Sequence, residues 1–347
     1  MITRSQINKA GRILVRDAQD AGAVELLGSW RLLHFEPMNR VCGFLAECVR
    51  TCPLDCDAEV VVSNRLKRSG AIIQKLRRQP TMDLSRMYDL AGIRLVLKTK
   101  CSPQQGLMDI GRLYEHCFSR LSERFKVRDK VLRYTDTPKE SGYRAIHIVA
   151  EGGTGDASFP ILPIEIQIRT EYQHLWAMAV ETAGMFYGQA LKSSEGSEEW
   201  LTFFTMCSAI ISHLENGTIV PPYANTAFTD MKEIIKQYGN THTFFQKMSN
   251  IAAAHQFVKR DGQSWGYCLL ELNIRYGKST LYPFRSDQFA LANDLYTRLE
   301  QSSQCTSRQA YVVLISVDHL DNLLSLYPSY FLDVTKFMSV INDALLP

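Results

Sequence analysis

Nothing in the 347 residues approaches the unbroken apolar run of about 18 that a membrane-spanning helix needs. The N-terminus (MITRSQINKAGRILVRDAQDAG) is polar and amphipathic, without the apolar centre of a secretory signal, so the expected location is the cytoplasm. The nine cysteines are odd in number, scattered and without a CxxC pair, which excludes a secreted disulfide framework. HExxH, His-Asp and GxSxG are all missing, and with them the metallohydrolase and serine-hydrolase chemistries those motifs carry. Glycine (20) and proline (12) are too few for a collagenous or low-complexity chain. Net charge is only +3, too small for a protein that coats nucleic acid through bulk charge.

What is present is ordinary in bulk and uneven in detail. A 46% hydrophobic and 22% charged composition gives a sizeable core. The length suits two domains, or one with an accessory, at about 150 residues each. Residues 61–100 hold ten Lys or Arg against Asp83 and Asp89, whereas residues 281–347 hold four basic residues against seven acidic. A basic stretch with a few isolated carboxylates suits a polyphosphate site in which the carboxylates hold a metal. Cys48, Cys52 and Cys56 form a C-x3-C-x3-C row at helical spacing, broken by Pro53. Zinc prefers tighter pairs, so the row reads as small buried thiols.

Periodicity makes residues 1–60 helical and predicts a helix over 63–79, capped by Ser63-Asn64 and stopped before Pro80. Strand AGIRLVLK, a helix from Ser102, strand RFKVRDKVL, the polar loop YTDTPKESGY and strands RAIHIVAE and ILPIEIQIRT follow. Amphipathic helices at TEYQHLWAMAVETAGMFYG and 197–215 close this part. ENGTIVPPYANT reads as a linker (216–225). Beyond it come a long helix (226–260), strands WGYCLLELNIRYG and STLYPF, a helix at 286–301, strand AYVVLISVD and helices near 319–326 and 333–345. Mixed elements without a βαβ rhythm indicate an α+β fold, and there is no internal repeat.

The strand IEIQIRT sets Ile164, Ile166 and Ile168 on one face and Glu165, Gln167 and Arg169 on the other. Such a polar face is a solvated edge or the floor of a site. Asp89 lies at the mouth of the strand that contains Arg94, so pairing of the two strands would let Asp89 and Glu165 share one Mg²⁺. Arg65 and Lys67, placed at the start of the predicted helix, would meet anions there, with Lys75 further along. Two lookalikes carry nothing: GKST at 277–280 has Leu272 where a P-loop needs glycine, and GGTG at 152–155 reads as a hairpin turn.

RLKRSGAIIQKLRR, YDLAGIRLV, PKESGYRAIH and IEIQIRTEYQHLWAMAVE, in that order and spacing, resemble the RelA/SpoT synthetase domain over about residues 60–190. The resemblance implies a nucleotidyltransferase-like mixed sheet with flanking helices, and transfer of pyrophosphate from ATP to a 3′-hydroxyl with release of AMP. It implies Arg65 on the adenine, with Lys67, Ser69, Lys75 and Arg94 at the ATP phosphates. Asp89 would hold Mg²⁺, and Glu165 would be a second metal contact or the base. Tyr143 would stack on the acceptor base, with Lys139, His147 and Arg133 lining the acceptor side.

The departures bear on the acceptor. Ala71 stands where the family's first motif carries serine, and the loop usually written KDYIxxPKxNGY reads LRYTDTPKESGY. Leu132 thus replaces a lysine that helps hold the phosphates of a guanosine nucleotide, although Lys130, Arg133 and Lys139 are near in sequence. The forms SGYRAIH and QIRTEYQHLWAMAVE are similar to the toxic small synthetases, several of which pyrophosphorylate the 3′ CCA end of tRNA. LYPSYFLD holds Tyr327-x-x-Tyr330, similar to the YxxY element of CapRel-type proteins. In those proteins a fused antitoxin domain covers the ATP site until a phage protein, such as a capsid protein, binds. The resulting expectation is an N-terminal helical region (1–60), a toxin-type synthetase (61–215) that modifies tRNA, a linker, and a small α/β regulatory domain (226–347). The alternative is a synthetase of (p)ppGpp or (p)ppApp that uses a free nucleotide such as GDP or GTP. No membrane partner is expected.

Overall fold

The computed structural model describes residues 2–54, 57–152, 161–189, 191, 195–238, 243–246, 256–258, 266–276, 278–302, 309–316 and 334–346. Three helices lead: α1 (Arg4–Arg16), opened by a Thr3–Gln6 capping box, α2 (Ala21–Leu33), and α3 (Phe35–Thr51). The helix expected over 63–79 divides in two. The run Val60-Val61-Val62 prefers extended backbone, so β1 (Ala58–Leu66) takes up Ser63, Asn64 and Arg65, and α4 (Ser69–Arg78) starts only at Ser69. Lys67 lies in the link between them, so neither Arg65 nor Lys67 sits at the helix start.

Next come β2 (Ala91–Thr99), α5 (Pro103–Arg124), the short β3 (Lys126–Val127) and β4 (Leu132–Arg133), β5 (Ile146–Gly152) and β6 (Leu162–Thr170). The single strand expected from RFKVRDKVL is therefore two short edge pieces. Helices α6 (Glu171–Phe186) and α7 (Glu198–Asn216) follow, α6 opened by a Thr170–Gln173 capping box. The long helix expected over 226–260 ends early: α8 (Phe228–Gln237) stops before Gly239-Asn240, and β7 (Gln256–Val258) is extended. Strands β8 (Tyr267–Asn273) and β9 (Lys278–Phe284), α9 (Phe289–Glu300), β10 (Ala310–Ser316) and α10 (Thr335–Leu345) complete the described elements. The turn at 153–155, the helix expected at 319–326, Cys56, Tyr327 and Tyr330 lie outside the described residues.

The described strands form one mixed sheet in the order β3-β5-β6-β2-β1-β10-β8-β9-β7, with β4 against β5. Strand β2 runs parallel to β6 and the remaining central pairs are antiparallel. One face buries Ile93, Leu95, Leu97, Ile146, Ile148, Ile164, Ile166 and Ile168 against α3 and α5. At about 1.5–3 kcal/mol per fully buried aliphatic side chain, this layer fixes the register of the central strands. The opposite face carries the polar row and looks toward α6. A second cluster ties α4 to α1 and α2 through Ile7, Leu14, Leu27, Trp30, Ile72 and Leu76.

The C-terminal residues extend the same sheet. β10 pairs with β1 at Arg65↔Ile315, α9 covers β8 and β10 through Ala292 and Tyr296, and Phe289 stacks on Phe35 of α3. Phe337 and Ile341 of α10 join the cluster formed by α6 and α7.

Candidate active site

Strand register alone assembles the floor of the site. Glu165 lies beside Gly92, Gln167 beside Arg94 and His147, and all share the face toward α6. Their side chains close a ring. Arg169 Nη2 donates to the Tyr143 hydroxyl (2.6 Å) and to Gln167 Oε1 (2.7 Å). The Tyr143 hydroxyl meets His147 Nε2 (2.7 Å), and His147 Nδ1 meets Glu165 Oε1 (3.1 Å). Gln167 Nε2 donates to Glu165 Oε2 (2.5 Å). With the His147 proton assigned to Nδ1, every donation runs from Arg169 toward Glu165 along both arms. Burial alone would raise the Glu165 pKa, but the hydrogen bond and charge of His147 and the Gln167 amide bring it down to about 2.

Asp89 sits at the mouth of β2 in a short 3₁₀ turn, Tyr88–Leu90, at φ −98°, ψ 25°. Lys67 Nζ reaches its Oδ2 at 2.7 Å and Lys75 Nζ its Oδ1 at 2.8 Å. Burial works to raise its pKa, but the two ammonium groups outweigh it and hold the carboxyl well below the usual range. Burial pulls the Lys67 pKa down, with Asp89 opposing. Asp89 and Glu165 repel one another, so they bear on a common space.

On the acceptor side, Lys139 Nζ lies over the rings of Tyr134 (4.5 Å) and Tyr143 (5.1 Å), and burial lowers its pKa. Gly142, at φ +85°, turns the loop here. A Cβ at that position would meet the Ser208 Cβ at 2.6 Å, and the Ser208 hydroxyl donates to the Gly142 carbonyl. That anchor to α7 sets Tyr143 beneath the loop.

The structure brings Asp89, Glu165, Lys67, Lys75, Lys139, Tyr143 and His147 together. It places four other expected site residues differently. Arg94 is only 6% exposed, with Nη1 4.0 Å from Met178 Sδ. Arg65 leans on Glu181 of α6 at 3.6 Å, a partner it shares with Arg68. Ser69 is engaged by Glu300 of α9. Arg133 stands on the edge strand, held by Asp136 (2.7 Å) and Glu115 (3.8 Å). Tyr143 is in the cluster but 7% exposed, its hydroxyl occupied, so its ring is core in this conformation and not an open stacking platform. Gln167 and Arg169 went without a role in the sequence, although strand alternation placed both on the polar face.

Mg²⁺ can be tested against the donor set. Two ionised carboxylates with hard oxygen atoms fit a divalent cation that takes its remaining ligands from water and phosphate. A carboxylate oxygen also accepts more than one partner. Asp89 and Glu165 therefore suit Mg²⁺. Among the described residues no group of three or more His, Cys, Asp or Glu forms an all-protein metal site. Cys48 is buried and Cys52 half-buried along α3.

Residues 64–190 match the family model described as a region found in RelA / SpoT proteins. This stretch is similar to the region shared by RelA and SpoT proteins. The matched stretch runs from within β1 to just beyond α6 and contains Asp89, Glu165, Lys67, Lys75 and the loop before Tyr143. The chain is also similar to uncharacterized protein Rv1366 of Mycobacterium tuberculosis, 27% identical over 142 residues, which are 41% of this chain and 46% of that protein. GTP pyrophosphokinase YjbM of Bacillus subtilis is 33% identical over 122 residues, 33% of this chain and 52% of that protein. The chain thus spans about half the length of these curated relatives. A solved structure, small alarmone synthetase 1 of Bacillus subtilis bound to its product pppGpp, is 24% identical. It covers 52% of this chain and 90% of its own, with a TM-score of 0.42.

The depressed carboxyls carry a pH dependence. Each loses its proton more readily folded than unfolded, so each stabilises the fold above its unfolded pKa and ceases to as pH falls through the folded value. For Glu165 that window runs from 4.5 down to about 2. Stability is expected to drop across it by on the order of a few kcal/mol. Glu165→Gln should flatten this limb in urea melts compared at pH 5 and pH 2.5.

Proposed function

We propose that the RelA/SpoT region transfers the β,γ-pyrophosphoryl group of ATP to a 3′-hydroxyl. The observation that carries it is the Asp89 carboxylate gripped by Lys67 and Lys75 beside the ionised Glu165. The lysines and the carboxylates neutralise each other while nucleotide is absent. With Mg²⁺-ATP present, Lys67 and Lys75 would turn to the phosphates, and Asp89 and Glu165 would hold the cation. The metal would neutralise charge on the transferring phosphoryl oxygens.

In the transfer, the acceptor 3′-oxygen bonds to the β-phosphorus as the bond from that phosphorus to the α-bridging oxygen breaks. AMP leaves with the bridging oxygen, and the hydroxyl proton passes to Glu165 or to solvent. Glu165, held ionised by its donors, would be a second cation ligand or the group that takes the hydroxyl proton, and in either role it orients the hydroxyl. Positive charge and positioning carry most of such a reaction.

For the acceptor, the tRNA 3′ end is favoured by the replacement of one lysine on the acceptor edge. Leu132 stands at the lysine position beside His147, and Arg133 is turned to Asp136 and Glu115. Modification of that end would stop translation, with the C-terminal residues as a restraint released by a phage protein. Synthesis of (p)ppGpp or (p)ppApp from a free nucleotide is the second reading, favoured by the activity named for the Bacillus subtilis relative. One assay separates them: γ-³²P-ATP with GDP, GTP, ATP and total tRNA in parallel. Label on tRNA, weakened steeply by salt through loss of counterion release, is expected. Label on a guanosine or adenosine nucleotide instead selects the alarmone.

A further inference from the structure

Tyr88 immediately precedes Asp89, yet it turns outward and stays 42% exposed. Its neighbours Met87 and Leu90 are fully buried, so the short turn that carries it is pinned on both sides. A lone aromatic at a surface needs no explanation. This ring has a partner. The Arg128 guanidinium lies over it, with Cζ 4.2 Å from the ring centre. Glu151 holds Arg128 there at 3.0 Å and also takes Lys126 at 3.2 Å. Two cations thus share one carboxylate, and the Lys126 side chain is largely exposed. Arg128 Nε, itself buried, has no hydrogen-bond partner among the described residues.

Strand register fixes where this pair stands. Val149 lies opposite Glu165 and His147 opposite Gln167, so His147, Val149 and Glu151 continue the polar face of β6 onto β5. Lys126 pairs with Glu151, and the Arg128 amide donates to the Val149 carbonyl at 2.9 Å. Arg128 therefore joins the same polar face two strands from Glu165, about 10 Å at ordinary strand spacing. Along β5 its partner Val149 is two residues, about 7 Å, from His147, where the acceptor loop arrives. That distance is on the scale of one step along an extended nucleic-acid strand. β3 and β4 are also the edge of the sheet, with no described strand beyond them. A ligand whose terminal ribose reaches Asp89 and Glu165 can leave across this edge.

We propose that Tyr88 and Arg128 form a second acceptor subsite, which holds the nucleotide preceding the reacting 3′-terminal nucleotide of a single-stranded RNA. Its base stacks on the open side of the Tyr88 ring, and its phosphate meets Arg128 and Lys126. Aromatic rings and guanidinium groups are the means by which unpaired nucleotides are held. The inference rests on the reading of an RNA end as acceptor and adds a source of selectivity to it. A free mononucleotide has nothing to place on Tyr88, so the subsite favours a polynucleotide over a nucleoside diphosphate.

Fluorescence anisotropy of a 5′-fluorescein-labelled RNA hexamer ending in CCA reads the subsite on the full chain without ATP. Tyr88→Ala is expected to weaken its binding by about tenfold or more. Tyr88→Phe should bind as the parent does, because stacking uses the ring and not the hydroxyl. Arg128→Gln should reduce the slope of log affinity against log salt by about 0.7, the loss of one phosphate contact to a single strand. GDP, titrated calorimetrically, should bind the parent and Tyr88→Ala alike. Equal hexamer binding by parent and Tyr88→Ala overturns the proposal. So does a loss of GDP affinity as large as the loss for the hexamer, which would assign the ring to a mononucleotide site or to the fold. The underlying reading fails separately. Tyr88-dependent hexamer binding without label transfer to any acceptor leaves the subsite standing and removes the reaction. Label on tRNA with the same KM for tRNA in parent and Tyr88→Ala keeps the reaction and removes the subsite.

Discussion

Asp89→Asn is expected to reduce label transfer from γ-³²P-ATP by about 10²–10³ or more, the scale on which lost charge stabilisation of a transition state acts. The amide keeps the shape but leaves Lys67 and Lys75 facing each other with no counter-charge between them. Burial already lowers the Lys67 pKa, so the mutant site gives up cation character as well as a metal ligand. Glu165→Gln is expected to do as much for a different reason. Both arms of the ring donate into Glu165, and an amide offers only one acceptor. If its oxygen meets His147, its N–H₂ faces the Gln167 N–H₂; turning Gln167 merely moves the donor clash onto Arg169. Unchanged circular dichroism with lost turnover is the expected pair of results. Near-parental turnover in either variant would remove that carboxylate from the reaction.

Arg169→Leu is expected to produce the second large loss, about 10²-fold in kcat, although Arg169 is fully buried and acts through other groups. It starts both hydrogen-bond arms, so its removal frees Tyr143 and Gln167 to rotate and leaves Glu165 with donors that nothing orients. A purely structural arginine would lower the melting temperature and leave the pH profile in place. A positioning arginine also moves the acid limb of kcat upward, since the Glu165 pKa rises as its donors loosen. A lowered melting temperature with an unmoved acid limb would assign Arg169 to the core alone.

The central sheet was legible because Ile164, Ile166 and Ile168 alternate with Glu165, Gln167 and Arg169, and that alternation survives unchanged in β6. The Asp89–Glu165 pairing followed from it once β2 lay parallel beside β6. The start of the basic stretch was misassigned. Helical spacing from Ser63 to Gln79 ignored the β-branched run that carries β1 to Leu66. The stacking role expected of Tyr143 came from the family resemblance alone, and no local pattern foretold that Gly142 and Ser208 fold its loop against α7. Glu300 was invisible for a plainer reason: no local pattern marks a carboxylate whose partners lie 231 residues earlier.

The seam between β1 and β10 gives withdrawal of the C-terminal strands a cost of its own. β1 lies inside the sheet only because β10 lies beside it, at Arg65↔Ile315. Taking β10 away turns β1 into a bare edge whose unpaired N–H and C=O groups attract any extended peptide. A chain whose β10 had withdrawn would therefore be open to completion by a strand from another molecule.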